Sequence, residues 1–534
     1  MDYSVFETVE DLRAAFGLVT EEKKPEDVEA KAEVPEKKVK TEKIPVVYAD
    51  LNQEPTNIFK HIIIFTNDRS DDNKTLKNIR DAIKELKDKP KLHVFVAAQV
   101  DATDDGSRIT IRDDHEELVV EKESNMDTLV FSRLGVQGED ECEHVVQLLQ
   151  DRGFLVLNSI KFSEIACDKY RSACLFEKGG IPQPRFCLMN KENLYDEESF
   201  KTQITRVFPD WDMKDPDKNE DKDLVIKILD GHGGTGVMLL NGKRMIAVLQ
   251  AIFAIDPERQ LIIQKKEEAD GGDIRVHVLT LRNKQVILAA MKRVKLGGDF
   301  RSNVSLGAEA KPVKLTPEQE QIALKTAMLS KLPWCAVDIM PLVKGSNKEL
   351  GDNVVLEINA SPGTAGISEV IGKNFINILL SELDDPSEFM LQDKICGFIE
   401  SVEIKFDDKT SMEYLGKMDT GNSTTANTLE VGEYVESDKE ISFKVNGKQM
   451  TFEKQKSIRA KAGEEVYERP VIIVPELRCG LRKVKDVRIA LVKSRKNKTT
   501  NILLNRDTIS KLGYVVSPGV AHILTKEMQK IQIV

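Results

Sequence analysis

Leu224-Val225-Ile226-Lys227-Ile228-Leu229 runs directly into Asp230-Gly231-His232-Gly233-Gly234-Thr235-Gly236-Val237. The first stretch reads as a buried strand carrying one lysine. An ammonium there needs an anionic partner, because desolvating it unpaired is costly. The second stretch holds four glycines in eight residues, which lets backbone N–H groups come close to phosphate oxygens. No Gly-Lys-Ser/Thr closes the loop, so it is not a Walker A turn. Val237 to Leu240 reads as a strand where a dinucleotide-binding turn would open a helix. Alone, the loop reads first as a hairpin turn and second as a nucleotide lid.

Two strands further on supply oxygen ligands. In Leu356-Glu357-Ile358-Asn359, Glu357 and Asn359 are two apart and share a sheet face. Asp338, in Val337-Asp338-Ile339, joins them if the strands pair. Two carboxylates and an amide carbonyl suit Mg2+, with nucleotide phosphates completing its shell. Their apolar neighbours argue against a solvated face. Asp273-Ile274-Arg275 and Asp299-Phe300-Arg301-Ser302-Asn303 bring arginines that could clamp carboxylate or phosphate in bidentate fashion; surface salt bridges are the plainer alternative.

Upstream, His61 to Phe65 reads as a buried strand, and Leu76, Ile79, Ile83 and Leu86 as a helix face. Strands at 92–97, 128–132 and 154–157, with a helix near 139–150, complete a pattern that predicts a parallel α/β sheet. From 224 to 380 denser strands among helices predict α+β. From Phe398 short strands with turns such as Asn446-Gly447 predict a small β domain. Residues 21 to 43 are dominated by Glu, Lys and Pro and read as a mobile linker after one short helix over 9–16. The expected boundaries are a charged tail over 1–57, an α/β domain over 58–164, a central domain over 165–384, a linker over 385–397 and a β domain over 398–534.

The whole chain of 534 residues is too long for a single core. Its 78 basic and 89 acidic residues give −11, which disfavours nonspecific nucleic-acid binding by the whole molecule. Seven cysteines form no C-x-x-C pair and seven histidines no H-E-x-x-H, against a disulfide scaffold, a thiolate zinc site or a histidine-built metalloenzyme. The N-terminus is acidic where a secretory signal is basic. The most apolar stretch, Met245 to Ile255, is far short of the roughly 20 residues that cross a bilayer. A cytoplasmic, reducing setting is expected.

The run from Cys167-Asp168-Lys169-Tyr170-Arg171 through Gly271-Gly272-Asp273-Ile274-Arg275 and the 299–303 motif to Glu357-Ile358-Asn359-Ala360-Ser361-Pro362-Gly363 resembles the ATP-grasp family, specifically its RimK-type amino-acid ligases, over residues 58 to 384. The resemblance implies a pre-ATP-grasp α/β domain followed by two subdomains holding ATP between them. It implies Lys169 and Lys227 as phosphate contacts, and Gly233, Gly234 and Gly236 as the loop over the triphosphate. Gln264, Lys265, Lys266 and Glu267 become the hinge beside adenine and ribose; Lys266 stands where the family often has an aromatic residue. Asp273 and Asn303 are placed with the nucleotide, the latter on a phosphate. Arg275 and Arg301 are implied to face the acyl phosphate and substrate carboxylates. Asp338, Glu357 and Asn359 match ligands of Mg2+ or Mn2+, two ions in the family's pattern. Gly307-Ala308 replaces a pair of glycines common there.

Met418-Asp419-Thr420-Gly421, Glu468-Arg469-Pro470-Val471-Ile472 and Ile502-Leu503-Leu504-Asn505-Arg506-Asp507 resemble, in that order, the retropepsin-like aspartic peptidases, and among them the small domains associated with RimK-type ligases. The resemblance implies an all-β barrel and a homodimer in which each copy contributes Asp419, since the mechanism needs two carboxylates sharing a proton. Asn505 stands where such domains usually have glycine, and no zinc-ligand cluster accompanies it. Basic residues from Arg478 to Lys498 could engage a glutamate-rich tail or ribosomal RNA; a solvated hairpin face is the commoner explanation.

The expected function is an ADP-forming ligation of glutamate or another amino acid to a protein or peptide end, ribosomal proteins included, with the peptidase processing the product. No membrane or direct nucleic-acid partner is expected. A ligase acting on a dedicated precursor peptide, and an ATP-binding scaffold without catalysis, remain as alternatives.

Overall fold

The computed structural model describes residues 44–103, 108–121, 127–134, 141–231, 234–281, 285–294, 308–384, 394–462, 465–480, 482–493 and 500–524. The chain divides into Met1–Lys43, all outside the described residues, and Ile44–Val534. The helix expected over 9–16 and the site residues Gly233, Arg301 and Asn303 lie outside the described residues.

Four parallel strands open the second unit in the order Lys91–Phe95, His61–Thr66, Thr128–Arg133, Leu155–Leu157. Ile62 to Phe65 are all buried, because helices cover both faces of such a sheet and no alternation survives. Helix Lys74–Glu85 starts where the Asn73 side chain accepts from the Leu76 N–H, and it buries Leu76, Ile79 and Ala82. The sequence reading did not separate an antiparallel meander of Gln99–Ala102, Arg108–Arg112 and Glu117–Glu121. Its Ile109 and Ile111 alternate inward to join Phe65 and Phe95 in one core.

The central region has one antiparallel sheet and one that is antiparallel apart from a parallel edge strand, as α+β predicts. One runs Val237–Asn241, Asp223–Ile228, Leu261–Lys265, Phe186–Met189. Helices Glu197–Val207 and Gly242–Ile255 cover one face, putting Phe200, Ile204, Met245 and Leu249 against Leu224 and Ile226. The other runs Val47–Tyr48, Gln285–Val294, Asp273–Thr280, Trp334–Pro341, Asn353–Asn359, with Glu309–Pro312 also on Gln285–Val294. Helix Pro317–Ser330, opened by a reciprocal Thr316–Gln319 capping box, packs Ala323, Leu324 and Ala327 with Val276 and Val337.

Two expected boundaries move. The tail was expected to reach residue 57, yet Val47 and Tyr48 pair in parallel with Val286 and Ile287. The Ile44 N–H donates to Gln321 Oε1 at 2.9 Å and the Tyr48 hydroxyl to Glu320 Oε1 at 2.6 Å. The β-branched Val46-Val47 beside Tyr48 suits a sheet edge, and this outweighs the charged composition before it. The linker was expected to reach 397, but Lys394–Gly397 pairs in parallel with Tyr514–Ser517.

The C-terminal strands close on themselves in the order Ile399–Lys405, Ser411–Met418, Ile502–Leu504, Asn427–Glu430, Arg482–Val492, Glu465–Cys479, the last pairing back onto Ile399–Lys405. Asn446 and Gly447 turn a hairpin with φ of 49° and 78°, both positive as a two-residue turn requires. The domain is not purely β: helix Arg506–Leu512 inserts Ile509 and Leu512 into the core. Among the described residues, no helix is long and apolar enough to cross a membrane.

Candidate active site

A cavity of about 710 Å3 lies between the two central sheets and includes Lys169, Lys227, Gly234, Gln264 to Glu267, Asp273, Asp338, Glu357 and Asn359 in its walls. Strand register explains the convergence. Arg275, Asp338 and Glu357 are direct neighbours across three adjacent strands, so their side chains form one row on one face. Arg275 Nε and Nη2 donate to Oδ1 and Oδ2 of Asp338 at 2.8 and 2.7 Å, and Nη2 is 3.9 Å from Glu357 Oε1. Asn359 Nδ2 reaches Asp338 Oδ2 at 3.4 Å and Glu357 Oε1 at 3.5 Å.

The sequence reading missed Arg293. Its Nε donates to Asp273 Oδ1 at 2.5 Å and its Nη2 to Asp338 Oδ2 at 2.8 Å. Arg293 interrupts an apolar strand as Lys227 does, so the same signal could have found it. Asp273 is thereby an anchor for Arg293. Burial would raise the Asp338 carboxyl, but Arg275 and Arg293 overcome it and hold the group well below the usual carboxylate range. Burial would lower Arg293, and Asp338 with Asp273 drive it the other way.

Two lysines face this cluster. Burial pulls Lys227 down to about 8, with Glu357 and Asp338 opposing and Lys169 adding to the fall. Lys169, the first residue of helix Lys169–Gly179, donates through Nζ to the Gly231 carbonyl and, at 3.4 Å, to that of Leu229. It therefore sits at the base of the glycine loop. That loop joins the antiparallel strands Asp223–Ile228 and Val237–Asn241, as the hairpin-turn reading expected. Gly236 has φ +69°, and a Cβ there would lie 2.5 Å from Ile228. Gly236 does not line the cavity itself, nor does Arg275.

The hinge residues divide. Gln264 and Glu267 are buried, and Glu267 Oε2 accepts from Asn347 Nδ2 at 3.1 Å. Lys266 reaches instead to Asp223, Nζ to Oδ2 at 2.9 Å. For Mg2+, carboxylate and amide oxygens are a hard donor set. Glu357 and Asn359 would hold it, because the Glu357 carboxylate stays 3.9 Å from Arg275 Nη2 and so is not neutralised as Asp338 is. Asp338 faces the same point with both oxygens committed to arginine. Among the described residues, no three of His, Cys, Asp or Glu gather around one point; the third group here is an amide.

In the C-terminal barrel Asp419 follows strand Ser411–Met418, and its N–H donates to the Leu504 carbonyl at 3.0 Å. Arg506 Nε donates to the Thr420 carbonyl at 3.0 Å. Asn505 is buried: its Nδ2 donates to the Thr424 carbonyl, its N–H to Asn427 Oδ1, and its Oδ1 caps the following helix. It ties the loop together where a glycine could not. Three residues of the basic stretch are committed within the fold: Arg482 Nη1 binds the Leu512 and Gly513 carbonyls, Arg478 pairs with Glu403 and Glu476, and Lys483 with Glu476; Arg495, Lys496 and Lys498 lie outside the described residues.

Residues 166–383 match the RimK-like ATP-grasp domain. A probable alpha-L-glutamate ligase of Teredinibacter turnerae is 31% identical over 258 residues, 48% of this chain and 75% of that protein. One from Vibrio atlanticus is 36% identical over 264 residues, with the same coverage of 48% and 75%. One from Stutzerimonas stutzeri is 34% identical over 163 residues, 30% of this chain and half of that protein. Among solved structures, D-alanyl-alanine synthetase A from Vibrio cholerae has a TM-score of 0.42 at 15% identity, covering 60% of this chain and 93% of that one. With residues 166–383 matching that domain and with glutamate-ligase relatives 31% and 36% identical over three quarters of their length, the chain belongs to the RimK-like ATP-grasp ligase family.

Proposed function

We propose that the protein is an ATP-dependent carboxylate–amine ligase that adds glutamate or another amino acid to the C-terminus of a protein or peptide. The observation that carries this reading is that Asp338 and Glu357, adjacent in one strand row with Arg275 behind them, line one cavity together with Asn359, Lys169 and Lys227. A carboxylate oxygen attacks the γ-phosphorus of ATP and ADP leaves, giving an acyl phosphate. An amine then attacks the acyl carbon, phosphate leaves, and the amine loses a proton to form the amide. Such transfers depend on positioning and charge neutralisation, the work suited to these lysines and arginines. Mg2+ bound at Glu357 and Asn359 would neutralise phosphate charge. The relatives named as probable alpha-L-glutamate ligases support glutamate as the added amino acid. Incubation with ATP, Mg2+ and each amino acid plus peptide acceptors, read by ADP release and product mass, tests it.

The C-terminal barrel supports a second activity, an aspartic peptidase that processes the ligated product. The backbone bonds tying Asp419 and Thr420 to Leu504 and Arg506 support it by fixing the loop that would present Asp419. Two copies would supply the carboxylate pair. Mixing Asp419→Asn with wild-type subunits should poison cleavage; undiminished cleavage by Asp419→Asn alone removes this reading.

A further inference from the structure

Arg133 ends the parallel strand Thr128–Arg133 of the N-terminal sheet, yet its side chain lines the ligase cavity. Ligands of open α/β sheets gather at these carboxyl ends. Three contacts fix the junction. Arg133 Nη1 donates to the Pro362 carbonyl at 3.1 Å, and Ser361 Oγ to the Ser132 carbonyl at 3.2 Å. Buried Asn158 donates to the carbonyls of Trp334 and Ala360 and accepts from the Trp334 N–H at 3.0 Å. The guanidinium also lies 5.9 Å over the Trp334 ring. Arg133 is therefore held against Pro362, three positions beyond Asn359 in the site, with its position set by two domains.

Among the described residues its charge is unmatched. Arg293 is satisfied by Asp273 and Asp338, whereas no acid among the described residues supports Arg133. Burial alone lowers it, to about 10. One of its five N–H donors is used by Pro362. A desolvated, positioned guanidinium without an acid is a receptor waiting for a planar anion.

We propose that Arg133 binds the α-carboxylate of the amine-bearing amino acid. This rests on the ligase reading. Of the two carboxylates in such a reaction, one is consumed as the acyl phosphate. The α-carboxylate of the incoming amino acid keeps its charge throughout and needs a permanent counter-ion, which Arg133 supplies. The bidentate fork also orients the amino acid, so that the amine beside the α-carboxylate faces the reacting centre.

The test uses the full chain loaded with Mg2+ and a non-hydrolysable ATP analogue. The twenty amino acids are titrated calorimetrically, and each binder is compared with its α-amide. Wild type should prefer acid over amide by about 10- to 100-fold. Arg133→Met should lose that preference while binding the nucleotide analogue as wild type does. Arg133→Lys should retain an intermediate preference, keeping charge without the fork. Where the denaturation midpoint shows that Arg133→Met is unfolded, Arg133→Lys decides alone. An undiminished preference in the variant overturns the assignment, as does a wild type that binds no amino acid or does not distinguish acid from amide. ADP release is scored separately: acid preference without turnover sinks the ligase reading and keeps Arg133, and turnover without acid preference does the reverse.

Discussion

Arg275 and Asp338 face each other across adjacent strands, and both carboxylate oxygens accept from one guanidinium at 2.8 and 2.7 Å. Arg293 adds a third bond to the same carboxylate. Asp338 is thus a buried anion balanced by two cations. Asp338→Ala should destabilise the fold by about 3–5 kcal/mol, because it leaves buried charge uncompensated. Chemical denaturation measures this, and a loss below about 1 kcal/mol would show that the network is not holding the sheet.

Glu357 separates chemistry from stability, since its side chain is 34% exposed and stays 3.9 Å from Arg275 Nη2, whereas Asp338 is bound directly by two arginines. Glu357→Gln should leave the denaturation midpoint close to wild type, raise the Mg2+ concentration needed for turnover, and cut ADP release by at least about 100-fold. Equal ADP release at all Mg2+ concentrations would remove Glu357 from the metal site.

Lys227 predicts a pH dependence. Its value falls from 10.5 to about 8 on folding, so the unfolded chain binds more protons between those limits. This group's contribution to stability is therefore present above 10.5 and lost as pH falls through 8. Nucleotide binding should run the other way, because phosphate favours the charged ammonium. Affinity for an ATP analogue should fall as pH rises past 8, and Lys227→Gln should weaken binding and flatten that slope. An unchanged slope in Lys227→Gln would assign the titration elsewhere.

Gly236→Ala meets both a positive φ and a Cβ 2.5 Å from Ile228. The strain should cost about 1–3 kcal/mol. Ile228→Val in the same chain removes one methyl group from the contact and should recover part of the loss. Ile228→Ala, which removes all three contacting carbons beyond Cβ, should recover more, and no recovery with it would place the strain in the backbone alone.

The fold was legible where periodicity was long. Ile62 to Phe65 and the 224–228 run announced buried strands, and the spacing of Glu357 and Asn359 announced a shared face. What remained hidden depends on register. Nothing local to Asp338 says that Arg275 is its strand neighbour or that Arg293 arrives from one strand beyond. Val47-Tyr48 was masked by the charged composition before it, since two residues at a sheet edge carry little periodic signal. Arg133 belongs to a different domain from the motifs it faces, so only the folded chain brings it to Pro362. The placement of Asn505 was legible as a departure from a pattern; its role as cap and tether was not.

The central claim is amide formation driven by ATP. The most direct measurement incubates the full chain with ATP, Mg2+, each amino acid and peptide acceptors ending in a free carboxylate, quantifying ADP and ligated peptide by mass spectrometry. The account predicts one ADP per amide bond with wild type, and neither product with Asp338→Ala or Glu357→Ala. ATP-analogue binding without ADP release for any combination would contradict it and leave a nucleotide-binding scaffold.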